Sequence, residues 1–342
     1  MKSKKLNVIL LIGGPSSEHD ISLKSGEVIL RSLDVKKYCV TPIVILKDRT
    51  WRLPHQTAPL NFSNAILFIK YKLHPDVAFI AMHGAYGEDG TVQGLLESAG
   101  IPYTGSGILA SSLAMDKQKS SALFSYYGMK VPRFVMYSYT DLKKNRKDIR
   151  HEVVYSIRLP CIVKPVSAGS SIGITKVSLI KNLRIALKEA FAYSDEVMIQ
   201  KCIQGMEVTC SVLDTGTEQG AIPLSPTEII SKGSDFFDHR AKYETGAAEE
   251  ITPARSSQKI ITEIQSLALR AHTVLGCSGL SRTDMIVGKD GIYMLETNTI
   301  PGMTETSLLP QAAAVAGISF PRLLDMIIQS GINRRRAFDH IE

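Results

Sequence analysis

The chain has 342 residues and a formal net charge of +7, with 40 Lys and Arg against 33 Asp and Glu. Hydrophobic residues make up 44% and charged residues 21%, which excludes a disordered chain, a collagen-like repeat and a coiled coil. Basic clusters at 143–150 and 334–336 lack interleaved aromatic residues. They therefore indicate solvated faces rather than a nucleic-acid surface.

The cysteines and the N-terminal sequence indicate the cellular compartment in which the protein is expected. Five cysteines form no C-x-x-C pair, which argues against a zinc site or a disulfide framework and favours a reducing cytoplasm. An apolar run at 8–12 follows three lysines, as in a secretory signal, but it is short and ends in Gly-Gly-Pro without a cleavage motif. No stretch approaches the ~20 apolar residues of a membrane span. We therefore expect a first buried strand and no membrane association.

The first third of the sequence has the pattern of a doubly wound α/β domain, which we place at residues 1–117. The run at 8–12 stops at a Gly-Gly pair, as a buried parallel strand does, and a helical apolar stripe follows at 21–33. Further strands are predicted at 40–46 and 77–82, the second of which enters a loop rich in glycine and acid. Ligands of such sheets bind at the carboxyl ends of the strands.

A second region, at 118–200, carries a Gly/Ser loop. We predict a helix at 120–127, a charged surface stretch at 141–152 and an apolar strand that ends at Lys164. After the loop at 165–173, the β-branched residues favour a returning strand over a helix. Such a loop alone is usually a linker, but small residues let backbone N–H groups approach phosphate oxygens, and a lysine adds charge. Together with the acidic hairpin below, it indicates a phosphate lid.

The third region, at 201–342, contains the strongest chemical signal, a polar hairpin. Strands are predicted at 208–213, 285–287 and 293–295, and helices near 260–275 and 311–316. If 289–291 form the hairpin loop, strand periodicity places four polar side chains on one face: Arg282, Asp284, Glu296 and Asn298. Two carboxylates and an amide oxygen suit Mg²⁺, and an arginine can neutralise developing charge. The alternative is an exposed polar hairpin, which the tight loop at 299–304 disfavours.

Two short motifs suggest other functions. Residues 105–110 match the dinucleotide pattern G-x-G-x-x-A, but they lack the acidic residue about 20 positions later and lie too late in the domain. Residues 169–173 match the G-x-S-x-G nucleophile elbow, with Ser171 as nucleophile and His239 or His272 as base. An elbow requires a helix after its turn, which the β-branched residues disfavour. A phosphate-binding G-x-x-x-x-G-K-[ST] motif is absent from the sequence.

An ordered set of motifs runs along almost the whole chain, at 13–22, 83–90, 115–117, 164–165, 169–171, 241–243 and 282–304. With these motifs the sequence resembles the D-alanine–D-alanine ligases of the ATP-grasp superfamily. The resemblance implies an α/β ATP-grasp fold of three α/β domains. These are a Rossmann-like substrate domain (1–117), a central subdomain with the Gly/Ser phosphate loop (118–200), and a C-terminal subdomain with the metal hairpin and an omega-loop lid (201–342).

The resemblance also implies roles for individual residues. The implied ATP-binding residues are Lys117, Lys164, Gly169, Ser171, Gln200, Lys201, Ile203, Glu207 and Lys242. Position 200 is commonly glutamate in the family, so its adenine contact departs from the pattern. The implied ligands of two Mg²⁺ ions, which Mn²⁺ can replace, are Asp284, Glu296 and Asn298.

The implied substrate and catalytic residues surround the two amino acids. Glu18 receives the ammonium of the first D-alanine, and His83 lies near its carboxylate. The oxyanion is stabilised by Arg282 and the Gly302 N–H, and the second carboxylate contacts Ser307 and Leu308. A long polar segment at 231–250 is a candidate lid, in which Tyr243 joins Ser170 and Glu18 in a hydrogen-bonded trio.

The implied activity is ATP-dependent ligation of two D-alanines to D-alanyl-D-alanine through a D-alanyl phosphate, in cytoplasmic peptidoglycan precursor synthesis. The implied partners are D-alanine, ATP and a second copy of the chain, docked through the N-terminal domain, without nucleic acid or membrane. A serine hydrolase and a non-catalytic nucleotide-binding regulator are the alternatives. Phosphate release that requires D-alanine separates the ligase from both.

Overall fold

The structure of the protein is a computed structural model that describes residues 4–144, 146–167, 172–216, 220–232 and 247–339, without the side chains of 142–148 and 335–339. The strands in these ranges are β1 (Leu6–Gly13), β2 (Tyr38–Ile45), β3 (Trp51–Arg52), β4 (Val77–Ile80), β5 (Phe134–Ser138), β6 (Cys161–Pro165), β7 (Thr175–Val177), β8 (Glu196–Lys201), β9 (Gly205–Asp214), β10 (Ala221–Pro223), β11 (Thr227–Ser231), β12 (Ala248–Ile251), β13 (Leu280–Gly288) and β14 (Gly291–Asn298). The α-helices are α1 (His19–Ser32), α2 (Phe62–Phe68), α3 (Thr91–Ala99), α4 (Ile108–Met115), α5 (Lys117–Tyr126), α6 (Tyr139–Lys144), α7 (Arg146–Glu152), α8 (Leu183–Ala190), α9 (Gln258–Leu275), α10 (Leu308–Val315) and α11 (Phe320–Asp339).

The N-terminal sheet has the strand order β3-β2-β1-β4, and β1 pairs in parallel with both β2 and β4. Alternate residues of β1 enter different cores because strand side chains alternate between faces. Val8 and Leu10 pack in one cluster with Ile29 of α1 and residues of α11. Ile9 and Leu11 pack in a second cluster on the other face. The predicted buried parallel strand and the helix after it are confirmed.

The sheet of the second region has the order β5-β8-β6-β7 and is antiparallel in every pair. Strand β7 returns along β6, so the predicted strand after the Gly/Ser loop is confirmed, and the helix that a nucleophile elbow requires is not there. The charged stretch at 141–152 is not entirely a surface segment. It contains helical turns of α6 and α7, and Ile149 is buried in the core of this sheet because its apolar side chain faces inward.

The third sheet has the order β12-β11-β9-β13-β14, with β10 also on β9. Helix α9 covers one face with Ile264, Leu267, Ala268, Ala271 and Leu275, which recur at the 3–4 residue spacing of an amphipathic helix. Strands β13 and β9 pair along nine residues, from Leu280 to Gly288. This long pairing gives the polar hairpin a rigid support.

Helices cross between the sheets. Ala114 of α4 and Phe124 of α5 pack in the core of the third sheet, whereas Leu323 and Ile327 of α11 pack on the N-terminal sheet. Loops of the first and third sheets meet where His83 and Glu88 contact Ile300, and we call this line of contact the seam. Domain boundaries at 117/118 and 200/201 stay predictions. Within the described ranges no single helix is long and apolar enough to cross a membrane, although Leu308–Val315 and Phe320–Arg334, bent by 106°, pass that test as a pair.

Candidate active site

The hairpin of β13 and β14 has the predicted register at its polar end. Arg282 pairs with Asn298, and Asp284 pairs with Glu296. Residues directly opposite one another on antiparallel strands share a face of the sheet. The hairpin therefore brings the four polar side chains to one face.

The turn of this hairpin is not the predicted one. Gly288 pairs with Gly291, so the loop has two residues rather than three. Met285 pairs with Met294, which leaves Leu295 as an extra residue, a bulge, in β14. Gly291 has a φ of +136°, outside the left-handed helical well. The shorter loop and the bulge offset each other, so the register beyond the bulge is unchanged.

Arg282 and Asp284 form a buried bidentate ion pair. Arg282 donates from Nε to Oδ1 and from Nη2 to Oδ2, both at 2.9 Å, and Thr209 Oγ1 donates to Oδ1 at 2.7 Å. Arg282 is 8% exposed and Asp284 7%. A charge pair is tolerated at such burial because each carboxylate oxygen is hydrogen-bonded. The contact fixes the orientation of the guanidinium.

A lysine faces the opposite strand of the hairpin. Lys117 Nζ lies 3.5 Å from Glu296 Oε2, and this lysine, the first residue of α5, is buried. Asn298 Oδ1 accepts the Ile300 N–H at 2.9 Å. No group of three His, Cys, Asp or Glu side chains suited to a metal occurs among the described residues. A cation on this hairpin would be bound by two carboxylates and the Asn298 amide oxygen, and such hard oxygen donors fit Mg²⁺.

The loop after β1 brings Glu18 to the seam. Gly13 and Gly14, with φ of +84° and +105°, turn the chain into α1, which begins after Glu18. Glu18 is 6% exposed. Its Oε2 lies so close to the loop after β4 that a Cβ on Gly84 would be 2.5 Å away. Both loops follow carboxyl ends of strands, where ligands of parallel sheets bind.

His83 connects the first and third sheets. Its Nδ1 lies 3.0 Å from the Ile300 carbonyl oxygen and its Nε2 lies 3.0 Å from Ser25 Oγ. Burial lowers the pKa of His83, and although the Glu18 carboxylate acts in the opposite direction, burial dominates. A neutral ring with its proton on Nδ1 donates to the carbonyl and accepts from the serine hydroxyl, so this tautomer satisfies both contacts.

Glu88 also joins the two loops, and no role was predicted for it. Its Oε2 accepts the Gly84 N–H at 2.6 Å and its Oε1 accepts the Ile300 N–H at 3.2 Å. Burial, with the nearby Glu18 charge, raises the pKa of Glu88 to about 8. The only sequence signal was its place in the 83–90 motif.

The loop before α10 is folded around Ser307. Its Oγ accepts the Thr304 N–H at 3.1 Å and lies 2.7 Å from Thr304 Oγ1. A Cβ on Gly302 would be 2.9 Å from the same oxygen, so this close approach requires glycine. Leu308 packs against Ile229 of β11.

Of the predicted ATP-binding residues within the described ranges, Lys117 begins α5, and the others lie on or next to the second sheet and at the start of the third. Lys164 is the next-to-last residue of β6 and is buried, and Gln200 pairs with Ile162. Glu207 of β9 pairs with Ile286. The Gln200 Nε2 atom is buried without a hydrogen-bond partner in the described part of the chain. Lys201 is the last residue of β8, and Ile203 follows it. Five predicted residues, Gly169, Ser170, Ser171, Lys242 and Tyr243, lie outside the described residues.

A cleft of about 350 Å³ lies along the seam. Nine predicted site residues line it: Glu18, His83, Lys117, Arg282, Glu296, Asn298, Gly302, Ser307 and Leu308. The described predicted residues outside its lining are Asp284, Lys164, Gln200, Lys201, Ile203 and Glu207. Lining residues to which no role was assigned include Lys24, Glu88 and Glu250.

Comparison with known proteins identifies the family. The family model described as D-ala D-ala ligase N-terminus matches residues 7–106, and the one described as D-ala D-ala ligase C-terminus matches residues 123–329. The chain belongs to the D-alanine–D-alanine ligase family.

Relatives in this ligase family match nearly the whole chain. A D-alanine–D-alanine ligase from Syntrophobacter fumaroxidans is 44% identical over 330 residues, which cover 96% of this chain and 98% of the relative. One from Leptospira interrogans is 39% identical over 347 residues, with the same two coverages. Family membership therefore does not rest on the motifs alone.

Solved structures of ligases share the fold. The VanG D-Ala:D-Ser ligase from Enterococcus faecalis has a TM-score of 0.83 at 32% identity and covers 96% of this chain and 100% of its own. The D-alanine–D-alanine ligase from Bacillus anthracis complexed with ATP has a TM-score of 0.77 at 32% identity, with coverages of 97% and 99%. The predicted α/β fold of the ATP-grasp type is confirmed.

Proposed function

We propose that this ligase joins two D-alanines with ATP in the cleft along the seam. The first carboxylate attacks the γ-phosphorus and releases ADP, which forms D-alanyl phosphate. The ammonium of the second D-alanine loses a proton to water, the free amine attacks the acyl carbonyl, and phosphate leaves as the acyl C–O bond breaks, taking up the second proton of the nitrogen. The observation that carries this proposal is the convergence of Glu18 and His83 with Arg282, about 200 residues later in the chain, on one cleft.

The first D-alanine is held from the N-terminal domain. The Glu18 carboxylate receives its ammonium, and His83 lies beside its carboxylate. Because burial favours neutral His83 and its two ring nitrogens already contact Ile300 and Ser25, the ring fixes the loops beside the substrate carboxylate without neutralising it. That carboxylate keeps the negative charge with which it attacks phosphorus.

The oxyanion of the tetrahedral intermediate is stabilised by Arg282 and the Gly302 N–H. Asp284 holds the guanidinium in a fixed direction before substrate arrives. A preorganised donor is effective because it does not reorganise when charge develops. The folding of the 302 loop around Ser307 serves the same purpose.

ATP binds between the second and third sheets. Lys117 and Lys164 hold its phosphates, Gln200, Lys201, Ile203 and Glu207 form the adenosine site, and the loop with Gly169 and Ser171 closes over it. Lys242 of the lid reaches the γ-phosphate. Asp284, Glu296 and Asn298 would hold two Mg²⁺ ions, which Mn²⁺ can replace. When bound, these ions neutralise phosphate charge.

The second D-alanine binds at the α10 end of the cleft, where Ser307 and Leu308 contact its carboxylate. In the lid, Tyr243 joins Ser170 and Glu18 through hydrogen bonds, which excludes water from the acyl phosphate. The Lys242–Tyr243 pair of this lid favours an amine, rather than a hydroxyl, as the reacting group of the second substrate.

Phosphate release tests the activity. Purified protein is assayed with ATP and Mg²⁺ over a panel of D-alanine, D-serine and D-lactate, and products are separated. We expect phosphate release that requires D-alanine, with D-alanyl-D-alanine as product. Release of phosphate without any D-amino acid, or none with D-alanine, overturns the proposal.

A D-Ala:D-Ser ligase is the second candidate, because the solved structure with a TM-score of 0.83 is that of a D-Ala:D-Ser ligase. The same panel separates the two. If D-serine is incorporated at the second position in preference to D-alanine, this candidate replaces the first.

We also propose a cytoplasmic homodimer that docks through the N-terminal domain, with the three domains divided near 117 and 200 and without nucleic-acid partners. Sedimentation at micromolar concentration tests the assembly. A monomer with full activity counts against it.

A further inference from the structure

The acceptor end of the cleft contains a carboxylate, Glu250, to which no role has been given above. Its Oε2 accepts a hydrogen bond from Gln311 Nε2 at 2.7 Å, and the same nitrogen lies 2.6 Å from the Thr306 carbonyl oxygen. Ala248, two residues earlier on β12, packs in the cluster of Leu308. Alternate residues of a strand share a face. Glu250 therefore lies on the face of β12 that is turned toward α10.

Four carboxylates line the cleft, and three of them have other tasks. Glu88 accepts two backbone N–H groups, and its raised pKa favours the neutral acid near neutral pH. Glu296 faces Lys117 on the hairpin. Glu18 lies beside the loop after β4, which carries His83. Glu250 is the carboxylate that lines the end formed by Ser307 and Leu308.

Ligation of two D-amino acids requires a site for two ammonium groups. Both substrates enter as zwitterions, because an α-amino group is mostly protonated at neutral pH. Each ammonium is stabilised by a nearby anion, most strongly where water is partly excluded. A D-hydroxy acid offers only a neutral hydroxyl at the same place and gains much less from an anion.

We propose that Glu250 binds the ammonium of the second D-amino acid and so selects an amine acceptor over a D-hydroxy acid. The inference rests on the proposed function, which assigns the α10 end to the second substrate. Gln311 positions the carboxylate, since its hydrogen bond ties β12 to α10. Burial raises the pKa of Glu250, whereas the Gln311 hydrogen bond and the Arg282 charge lower it.

The test is a competition between acceptors in Glu250→Gln. Glutamine can still accept the Gln311 hydrogen bond, so the change removes charge and keeps the contact. With D-alanine as donor and mixtures of D-alanine and D-lactate as acceptors, the ratio of D-alanyl-D-lactate to D-alanyl-D-alanine is measured. Effects on ATP and on the donor cancel in this ratio. Loss of a charged hydrogen bond should shift it about tenfold or more toward the depsipeptide.

Two variants separate charge from structure. Glu249 points to the other face of β12, where its Oε2 lies 3.6 Å from Lys232 Nζ, both side chains being exposed. Glu249→Gln should keep the wild-type ratio. Gln311→Met removes the tether and keeps the charge, so it should shift the ratio much less than Glu250→Gln does.

The outcomes are distinct. An unchanged ratio in Glu250→Gln, or an equal shift in Glu249→Gln or Gln311→Met, overturns the inference. In each case wild type still makes the dipeptide, so the proposed function stands. If wild type releases no phosphate with D-alanine, the proposed function fails first. Thermal unfolding of each variant verifies that it is folded.

Discussion

At the scale of single residues, the cleft combines cations with carboxylates at close range. Lys117 lies 3.5 Å from Glu296, and Arg282 is tied to Asp284. Opposite charges at such distances stabilise each other strongly where they are shielded from water. Removing one member leaves its partner without that stabilisation, which makes these residues sensitive to isosteric substitution.

Glu296→Gln should lower kcat by about 10²–10³ and leave the unfolding midpoint near that of wild type. The change removes the charge of a proposed metal ligand and of the partner of Lys117, and loss of one transition-state electrostatic contact has this magnitude. Steady-state phosphate release at saturating Mg²⁺ measures it. Asp290→Asn, an exposed acid in the turn of the same hairpin, is the control and should keep wild-type turnover. A wild-type kcat in Glu296→Gln would show that the Glu296 carboxylate is not a metal ligand.

Glu88→Gln should destabilise the protein by about 0.5–1.5 kcal/mol. The glutamine oxygen can accept the Gly84 N–H, but its NH₂ group cannot accept the Ile300 N–H, which keeps only its bond to Asn298 Oδ1, so one net hydrogen bond is lost. Because the Ile300 carbonyl also orients His83, the KM for D-alanine should rise while that for ATP changes little. Urea unfolding and the two KM values measure this. Unchanged stability together with an unchanged KM for D-alanine would contradict the structural role given to Glu88.

The sequence predicts the ionic residues of the site better than their supports. Arg282 and Glu296 stand out because charge recurs with strand period in an apolar context. Glu88 and Glu250 do not stand out, because what distinguishes them is a partner far along the chain, Ile300 or Gln311. Contacts of this kind depend on how the sheets pack, and a local pattern contains no information about that packing.

At the scale of elements, the predicted register of the hairpin is correct although its predicted turn is wrong. Strand period and the polar spacing predict that position 284 lies opposite 296, which is confirmed. The predicted loop at 289–291 is one residue longer than the actual loop, and the structure has a bulge at Leu295. A bulge depends on how the neighbouring strands pair and on which side chains must lie on a given face of the sheet, so the turn residues alone do not predict it.

Gly26→Ala should destabilise the protein by about 1–3 kcal/mol, because helix α1 packs directly on β1 at this residue. A Cβ there would lie 2.4 Å from Ile12 Cγ2, and overpacking of a close helix–strand contact has such an effect. Gly94→Ala in α3 is the matched control. Its Cβ would meet nothing nearer than 3.8 Å, so it should stabilise by about 0.5–1 kcal/mol. Urea unfolding of the pair tests this, and equal effects would contradict it.

At the scale of the whole molecule, buried thiols lie in the cores of two sheets. Burial raises the pKa of Cys161 to about 11, and those of Cys210 and Cys277 to about 12. In the unfolded chain these thiols ionise near their ordinary pKa of 9.0. Above pH 9 the unfolded state therefore binds fewer protons than the folded state, and the free energy of unfolding falls as pH rises toward the folded-state pKa.

Cys210 allows this alkaline loss of stability to be measured for one thiol. At pH 10 an unfolded thiol with a pKa near 9 is about nine-tenths ionised, whereas the folded one is still protonated, which lowers the free energy of unfolding by about 1.4 kcal/mol relative to pH 7. Cys210→Ala lacks this contribution, so its stability deficit against wild type should shrink by that amount between pH 7 and pH 10. Urea unfolding at intervals across this range measures the deficit. Cys39→Ala, at an exposed thiol, is the control and should follow the wild-type slope. A constant deficit for Cys210→Ala would mean that this thiol ionises as readily in the folded core as in the unfolded chain.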